Sequence, residues 1–309
     1  MKRFDFIFYL TILSLAGWLT GCSEQRVIDP NPGTPTRYRV NTITQELPDN
    51  VAKVSVLRYD AQGRLSTIKT YQTPDSTVAE VMNSVYLYDA QNRLTQLRRE
   101  RIPYPRSQSG PNNAVEQYIY LYNESGLVSQ IQYINGLSWS YTYDANKQLV
   151  SSSGGYSHPR FSIQGAIQYT FTGKNLTKTT GGTGIRYQGM PSGMSSDFPG
   201  ITSATYTHDD KINPFYGTSV IPSALSGFVN ILYGPTTPNA LFGGTDNVLT
   251  LSQNNVLSET PEASTRETIT YQYQYNTANL PTLRIKTITA PAPNGTVTKE
   301  TVRFEYESY

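Results

Sequence analysis

Aromatic residues alternate with polar ones in short runs along most of this chain. The runs are Tyr86 and Tyr88; Tyr118, Tyr120 and Tyr122; Trp139, Tyr141 and Tyr143; Tyr169 and Phe171; Tyr271, Tyr273 and Tyr275; Phe304 and Tyr306. A period of two places successive side chains on opposite faces of a strand, so each run predicts a strand with one aromatic face. Most runs end on a turn signature: Asp60, Asp89, Asn123 or Asp144 directly after the last aromatic, then Gly63, Asn92, Gly126, Lys147, Asn175 or Asn279 four residues beyond it. Asp or Asn opens a turn by bonding the backbone two residues on, and Gly or Asn tolerates the left-handed residue that closes a type I turn with a bulge. Lys147 is the strained copy. Leucine returns six residues after the aromatic at Leu65, Leu94 and Leu149, and five after it at Leu127, Leu176 and Leu280, which predicts turns of varying length. Each unit is a β-hairpin. The predicted fold is all-β, an extended twisted antiparallel sheet of consecutive hairpins that contact mainly their neighbours. Uneven spacing of the units speaks against propeller blades or an ordinary sandwich.

Two insertions interrupt the array, Gln72–Val81 and Ile102–Asn113, the second too rich in proline for a central strand. Residues 179–200, with Gly181-Gly182-Thr183-Gly184, read as a long loop or crossover. Residues 219–232 are the most apolar stretch after the N-terminus, and Ala224, Leu225, Phe228, Val229 and Leu232 fit a helical face, so at most one short helix is expected, there.

Lys2 and Arg3 precede an apolar run from Phe6 to Leu19, short for a membrane span and patterned as a secretory signal. Leu19-Thr20-Gly21-Cys22 resembles the bacterial lipobox, and Cys22 is the single cysteine of the chain. The resemblance implies cleavage before Cys22, lipidation of its thiol and attachment to a membrane through acyl chains, each buried methylene contributing roughly 0.8 kcal/mol. Ser23 in place of Asp favours the outer membrane. The expected organisation is a signal peptide at 1–21, a proline-rich tether at 22–36, a hairpin array at 37–200, and a part at 201–309 that continues and closes the array.

Tyr59-Asp60-Ala61-Gln62-Gly63-Arg64-Leu65 and its near copy Tyr88–Leu94 resemble the YD repeat, found in RHS-type wall and toxin proteins and in many Gram-negative lipoproteins of unknown function. Tyr143–Leu149 is a close copy and Tyr122–Val128 a looser one. Lys211-Ile212-Asn213-Pro214-Phe215 is similar to a segment of such lipoproteins. The resemblance implies a hairpin array and no particular activity.

Chemistry is sparse. A formal net charge of +2 argues against a nucleic-acid partner held on a broad basic surface. The histidines are His158, in a loop, and His208, on a strand; a lone lipidated cysteine excludes thiol catalysis, and no metal or cofactor is expected. Asp209 and Asp210 with Asn213 lack the oxygen-rich spacing of a calcium loop. Glu80, Glu116, Glu259, Glu262 and Glu267 could supply a carboxylate pair for glycoside cleavage, with nothing to single one out. The tyrosine ladders are packing surfaces, with Trp139, Tyr141 and Tyr120 as an exposed strip for sugar rings or peptides. The expected function is a non-catalytic outer-membrane or surface lipoprotein that binds a glycan or envelope protein; a glycan-directed hydrolase and a purely structural envelope protein are the alternatives.

Overall fold

The computed structural model describes residues 37–102, 114–133, 136, 138–159, 161–187, 202–216, 247–263, 266–293 and 295–309. The signal segment, Cys22, the tether and the apolar stretch 219–232 lie outside the described residues. Sixteen strands form one closed antiparallel barrel in which every strand pairs with its sequence neighbours and the last pairs with the first. The first eight are β1 (Tyr38–Glu46), β2 (Ala52–Tyr59), β3 (Leu65–Thr73), β4 (Val81–Tyr88), β5 (Leu94–Ile102), β6 (Ala114–Tyr122), β7 (Val128–Tyr133) and β8 (Ser138–Tyr143). The second eight are β9 (Leu149–His158), β10 (Phe161–Thr172), β11 (Asn175–Tyr187), β12 (Thr202–Ile212), β13 (Asn254–Pro261), β14 (Thr268–Tyr275), β15 (Pro281–Thr289) and β16 (Val297–Ser308). The all-β expectation holds, and the twisted sheet curls fully onto itself. A 3-10 helix, Asn247–Leu251, is the one helical element among the described residues.

Closure decides what the aromatic faces do. Trp139, Tyr141, Tyr206, Tyr271, Val302 and Phe304 are buried in one continuous core, while their strand neighbours Ser140, Thr142, Thr205, Thr207, Gln272, Arg303 and Glu305 are exposed. The wall is therefore mainly polar outside and aromatic inside. Exposed apolar exceptions are scattered over several strands: Leu87, Val115, Ile119, Leu121, Val150, Ile212, Leu257 and Val297. Leu87 and Ile119 pair across the sheet with Gln96, and Leu121 with Gln130.

The turns are more uniform than the leucine spacing suggested. Tyr59 pairs with Leu65, Tyr88 with Leu94, Tyr122 with Val128, Tyr143 with Leu149 and Tyr275 with Pro281, always six residues on and always beside a bulge. Leu127 and Leu280 thus stand in the turn, where other copies have Arg64 or Arg93, and the expectation of varying turn length fails for these two units. The left-handed residue is Gly63, Asn92, Gly126, Lys147 or Asn279, as predicted, with Lys147 accepting φ 63°. The Phe171 unit alone is shorter: Thr172 pairs with Asn175 and the positive φ falls on Gly173. Residues 181–187 are not a loop; they complete β11, Gly181 pairing with Ile167 and Gly182 with Ala166. A Cβ on Gly181 would lie 2.0 Å from the Ala166 carbonyl oxygen, so glycine is what permits the pairing.

The recurring residues also lock neighbouring units together. Asp60 accepts hydrogen bonds from the Gln62 and Arg64 N–H groups and from Arg64 Nε (2.7 Å). Arg64, held by that carboxylate, lies over the ring of Tyr88 in the next unit at 4.3 Å. Tyr88 in turn donates its hydroxyl to the Leu65 carbonyl at 2.7 Å. Asp89, Arg93, Tyr122 and Leu94 repeat the arrangement. Tyr143 donates to Val128 and Tyr306 to Pro281 in the same way. The ladder crosses the seam between the last strand and the first: Tyr59 donates to Val40, Arg39 lies over Tyr59, and the Tyr309 N–H donates to the Arg37 carbonyl where a turn would otherwise be.

Burial raises the phenol pKa of Tyr88 and of Tyr122, each to about 12, with Asp60 and Asp89 adding to it and Arg64 and Arg93 opposing. A phenol that stays neutral in the fold but ionises near 10 when unfolded stabilises the fold fully below about pH 10. That contribution is lost as pH rises from about 10 through about 12. We expect phenolate absorbance to appear together with loss of β circular dichroism in that window; ionisation of all tyrosines near pH 10 with the fold intact would contradict the ladder. Tyr88→Phe is expected to destabilise by about 1 kcal/mol in denaturant titrations, because the half-buried Leu65 carbonyl loses its partner while the ring keeps its place.

Candidate functional site

Trp139, Tyr141 and Tyr120 do not form an exposed strip. All three face the interior and are buried, Trp139 to 1% exposure, because a sheet that closes turns its aromatic face inward. The indole lies against Gly154 of β9, where a Cβ would stand 2.7 Å from the ring. Sequence reasoning identified the aromatic face and misassigned which side meets water.

The polar groups inside the barrel gather in two places. The first is near the end that carries the tight turns, where the ladder is interrupted. His208 occupies an aromatic position of β12 and its Nε2 lies 2.9 Å from Ser252 Oγ. Burial lowers the imidazole pKa, with Asp209 opposing, so the ring is neutral over a wider pH range. Asp209 Oδ1 accepts from the N–H groups of Lys211 and Asn255, and Oδ2 accepts from Asn255 Nδ2 and the Tyr275 hydroxyl. Asn213 donates its amide to the Leu249 and Ser252 carbonyls and accepts from the Phe215 N–H, which seats Phe215 against Phe304 in the core. The Asn-Pro-Phe stretch was visible in the sequence; its role as an internal plug was not.

A serine beside a histidine beside an aspartate invites a hydrolytic reading. Nucleophilic attack needs an accessible Oγ and a free base. Ser252 is fully buried and its Oγ already accepts the Leu176 N–H at 3.1 Å. Asp209, with both oxygens occupied by donors, bonds the β12–β13 junction to Tyr275. A cavity lined by Asn213, Phe215, Val256, Tyr273, Arg284 and Phe304 measures about 20 Å³, room for one water molecule. Asp210 is paired with Lys211 at 3.3 Å, and no group of three or more metal-ligating side chains occurs among the described residues.

The second cluster sits towards the opposite end, which carries the longer loops. Arg99 of β5 and Glu116 of β6 are a buried ion pair, and the Tyr118 hydroxyl donates to Glu116 at 3.0 Å. Arg101 pairs with Glu80 at 3.3 Å. Lys53 of β2 shares the inward face of Ser55 and Leu57 and is half-buried. Burial lowers its pKa, Glu80 opposing and Arg99 adding to the effect. Two carboxylates considered for glycoside cleavage, Glu80 and Glu116, are thus each held by a guanidinium, and a third, Glu262, pairs with Lys178 at 2.5 Å. The missed partners were legible: Arg99 and Arg101 continue the alternation that Leu97 begins, and so fall inside.

No family model matches the chain, and no curated protein matches it. Among solved structures, a porin-like protein from Bacteroides uniformis ATCC 8492 aligns with a TM-score of 0.53 at 14% identity, over 87% of this chain and 98% of that one. A porin-like protein from Bacteroides vulgatus ATCC 8482 aligns at 0.33 and 12% identity, over 87% and 98%. The TcdB2-TccC3-Cdc42 structure aligns at 0.30 and 15% identity over 86% of this chain and 14% of that one. The first likeness shows the barrel fold.

Trp139 is the single tryptophan outside the N-terminal apolar run. After removal of that run, fluorescence should be blue-shifted, resist acrylamide quenching and ignore added neutral oligosaccharides. A saturable response to such sugars would restore the exposed-strip reading. Trp139→Ala should cost about 3–5 kcal/mol in chemical unfolding.

Proposed function

We propose that the chain is a non-catalytic lipoprotein of the outer membrane, a YD-repeat, RHS-like barrel tethered through a lipid on Cys22 and serving as a binding or scaffold module. The observation that carries this reading is the polarity of the wall. A barrel that spans a membrane turns an apolar band to the lipid and a polar face to its lumen. Here Ser140, Thr142, Thr205, Thr207, Gln272, Arg303 and Glu305 face outward and the aromatic side chains fill the inside. Such a wall favours water, so a chain with an export signal and a lipobox would be held at the bilayer by its acyl chains and not by its strands. The tight pairing inside the Ser252–His208 group supports a non-catalytic role over the hydrolase alternative.

The tether would join the barrel at a defined place. β1 starts at the turn-bearing end, and the residues between Cys22 and Tyr38 can span at most about 58 Å.

Cys22→Ser should move the protein from the membrane pellet to the soluble fraction of the native host and abolish incorporation of labelled palmitate. Wild-type protein that takes up no label would refute the anchor.

A further inference from the structure

We propose that the loop-end mouth of the barrel binds the anionic group of a small solute, a carboxylate or a sulfate, through Lys53 and Arg101. The inference rests on the binding reading given above and is independent of Cys22.

The location of the charges is the first argument. The charges of the outer wall, Arg58, Lys69, Arg98, Arg303 and Glu305 among them, are exposed and solvated. Yet Lys53, Glu80, Arg99, Arg101 and Glu116 sit on the inward face of β2, the β4 edge, β5 and β6, where partial desolvation penalises each charge. Core packing alone would be served better by apolar residues of similar volume, as Leu57 and Ile68 show on the same faces.

The second argument is the imbalance within the group. Arg99, Glu116 and Tyr118 form a satisfied network. Arg101 and Glu80 are close in charge but poorly aligned: at 3.3 Å the pair leaves the buried Arg101 Nε without a hydrogen bond. The Lys53 ammonium makes no hydrogen bond and no close ion pair among the described residues, and it lies within electrostatic reach of Glu80 and Arg99. An incoming anion would accept from the Lys53 ammonium and from the exposed part of the Arg101 guanidinium, in charge-assisted bonds of the stronger kind. Beneath it lie the paired hydroxyls of Ser55 and Thr70, 2.8 Å apart and buried, which give the site a polar floor suited to a hydroxylated acid.

Calorimetry on the purified protein with sodium glucuronate, sodium sulfate and glucose tests this. Glucuronate and sulfate should bind, more weakly as sodium chloride is added, and glucose should not. Sulfate binding as well as glucuronate would show a general anion site; a preference for glucuronate would assign the hydroxyl floor a part. Lys53→Met should weaken both anions by about tenfold or more, while Lys69→Met, on the exposed outer face of β3, should leave them unchanged. If Lys53→Met does not fold, as judged by circular dichroism, Arg101→Gln carries the same expectation. Absence of binding by either anion, equal binding by Lys53→Met, or equal binding of glucose overturns the proposal. Loss of palmitate labelling without loss of anion binding would remove the anchor and leave this site standing, and the reverse result would remove the site alone.

Discussion

A single phenol-to-carbonyl hydrogen bond, repeated from one hairpin to the next, organises this barrel. Tyr88 donates to Leu65, Tyr122 to Leu94, Tyr143 to Val128, Tyr306 to Pro281 and Tyr59 to Val40. Each bond is modest by itself. Its value lies in requiring several things together: an inward tyrosine at the end of one strand, a bulge that aims it, and a turn of fixed length that presents the neighbouring carbonyl. Arg64 and Arg93 tie the turn to the same ring by holding their own aspartate and covering the next tyrosine. Register, turn geometry and interior packing are thus set by the same few residues.

Where that bond lapses, the chain changes tactics. Phe171 has no hydroxyl, His208 stands where another copy would place an aromatic, and Tyr275 turns to Asp209. Asn213, Phe215, Leu249 and Ser252 enter the interior at this point, and their hydrogen bonds to Leu176 and to one another replace the missing rungs. The Ser252–His208 contact belongs to this substitution, which explains why the serine of a pair with catalytic chemistry is sealed from solvent while the imidazole is half-buried. Pairing is also slight here, with two matched positions between β13 and β14, so side-chain bonds around Asp209 do work that the ladder does elsewhere.

Much of the fold was legible in the sequence. Period-two aromatics located the strands, and the Asp/Asn and Gly/Asn pairs located the turns, down to a strained Lys147. What escaped was anything that depends on closure. An aromatic face on an open sheet can meet water, so Trp139, Tyr141 and Tyr120 read as a binding strip; on a sealed wall the same face is core. The leucines at 127 and 280 misled for a related reason, since leucine marks burial and not register: in turn positions Leu280 is buried and Leu127 half-buried. Gly181 and Gly182 read as a loop because glycine is rare within strands, although a close approach to Ala166 is what excludes a larger residue. The inward place of Arg99 and Arg101 is legible from their alternation with Leu97, but their pairing with Glu116 and Glu80 is not, because it crosses between strands.

The seam between β16 and β1 behaves as an ordinary unit of the ring. The Tyr309 N–H meets the Arg37 carbonyl just as the Asp60 N–H meets that of Arg64, and Arg39 covers Tyr59 as Arg64 covers Tyr88. Seven connected strand pairs and the seam therefore close one ring, and the backbone is interrupted at a corner where most of the others carry a tight turn. Linear order and spatial order are decoupled in such a ring: rotating the starting point by one hairpin, with a short linker across the seam, would preserve every pairing.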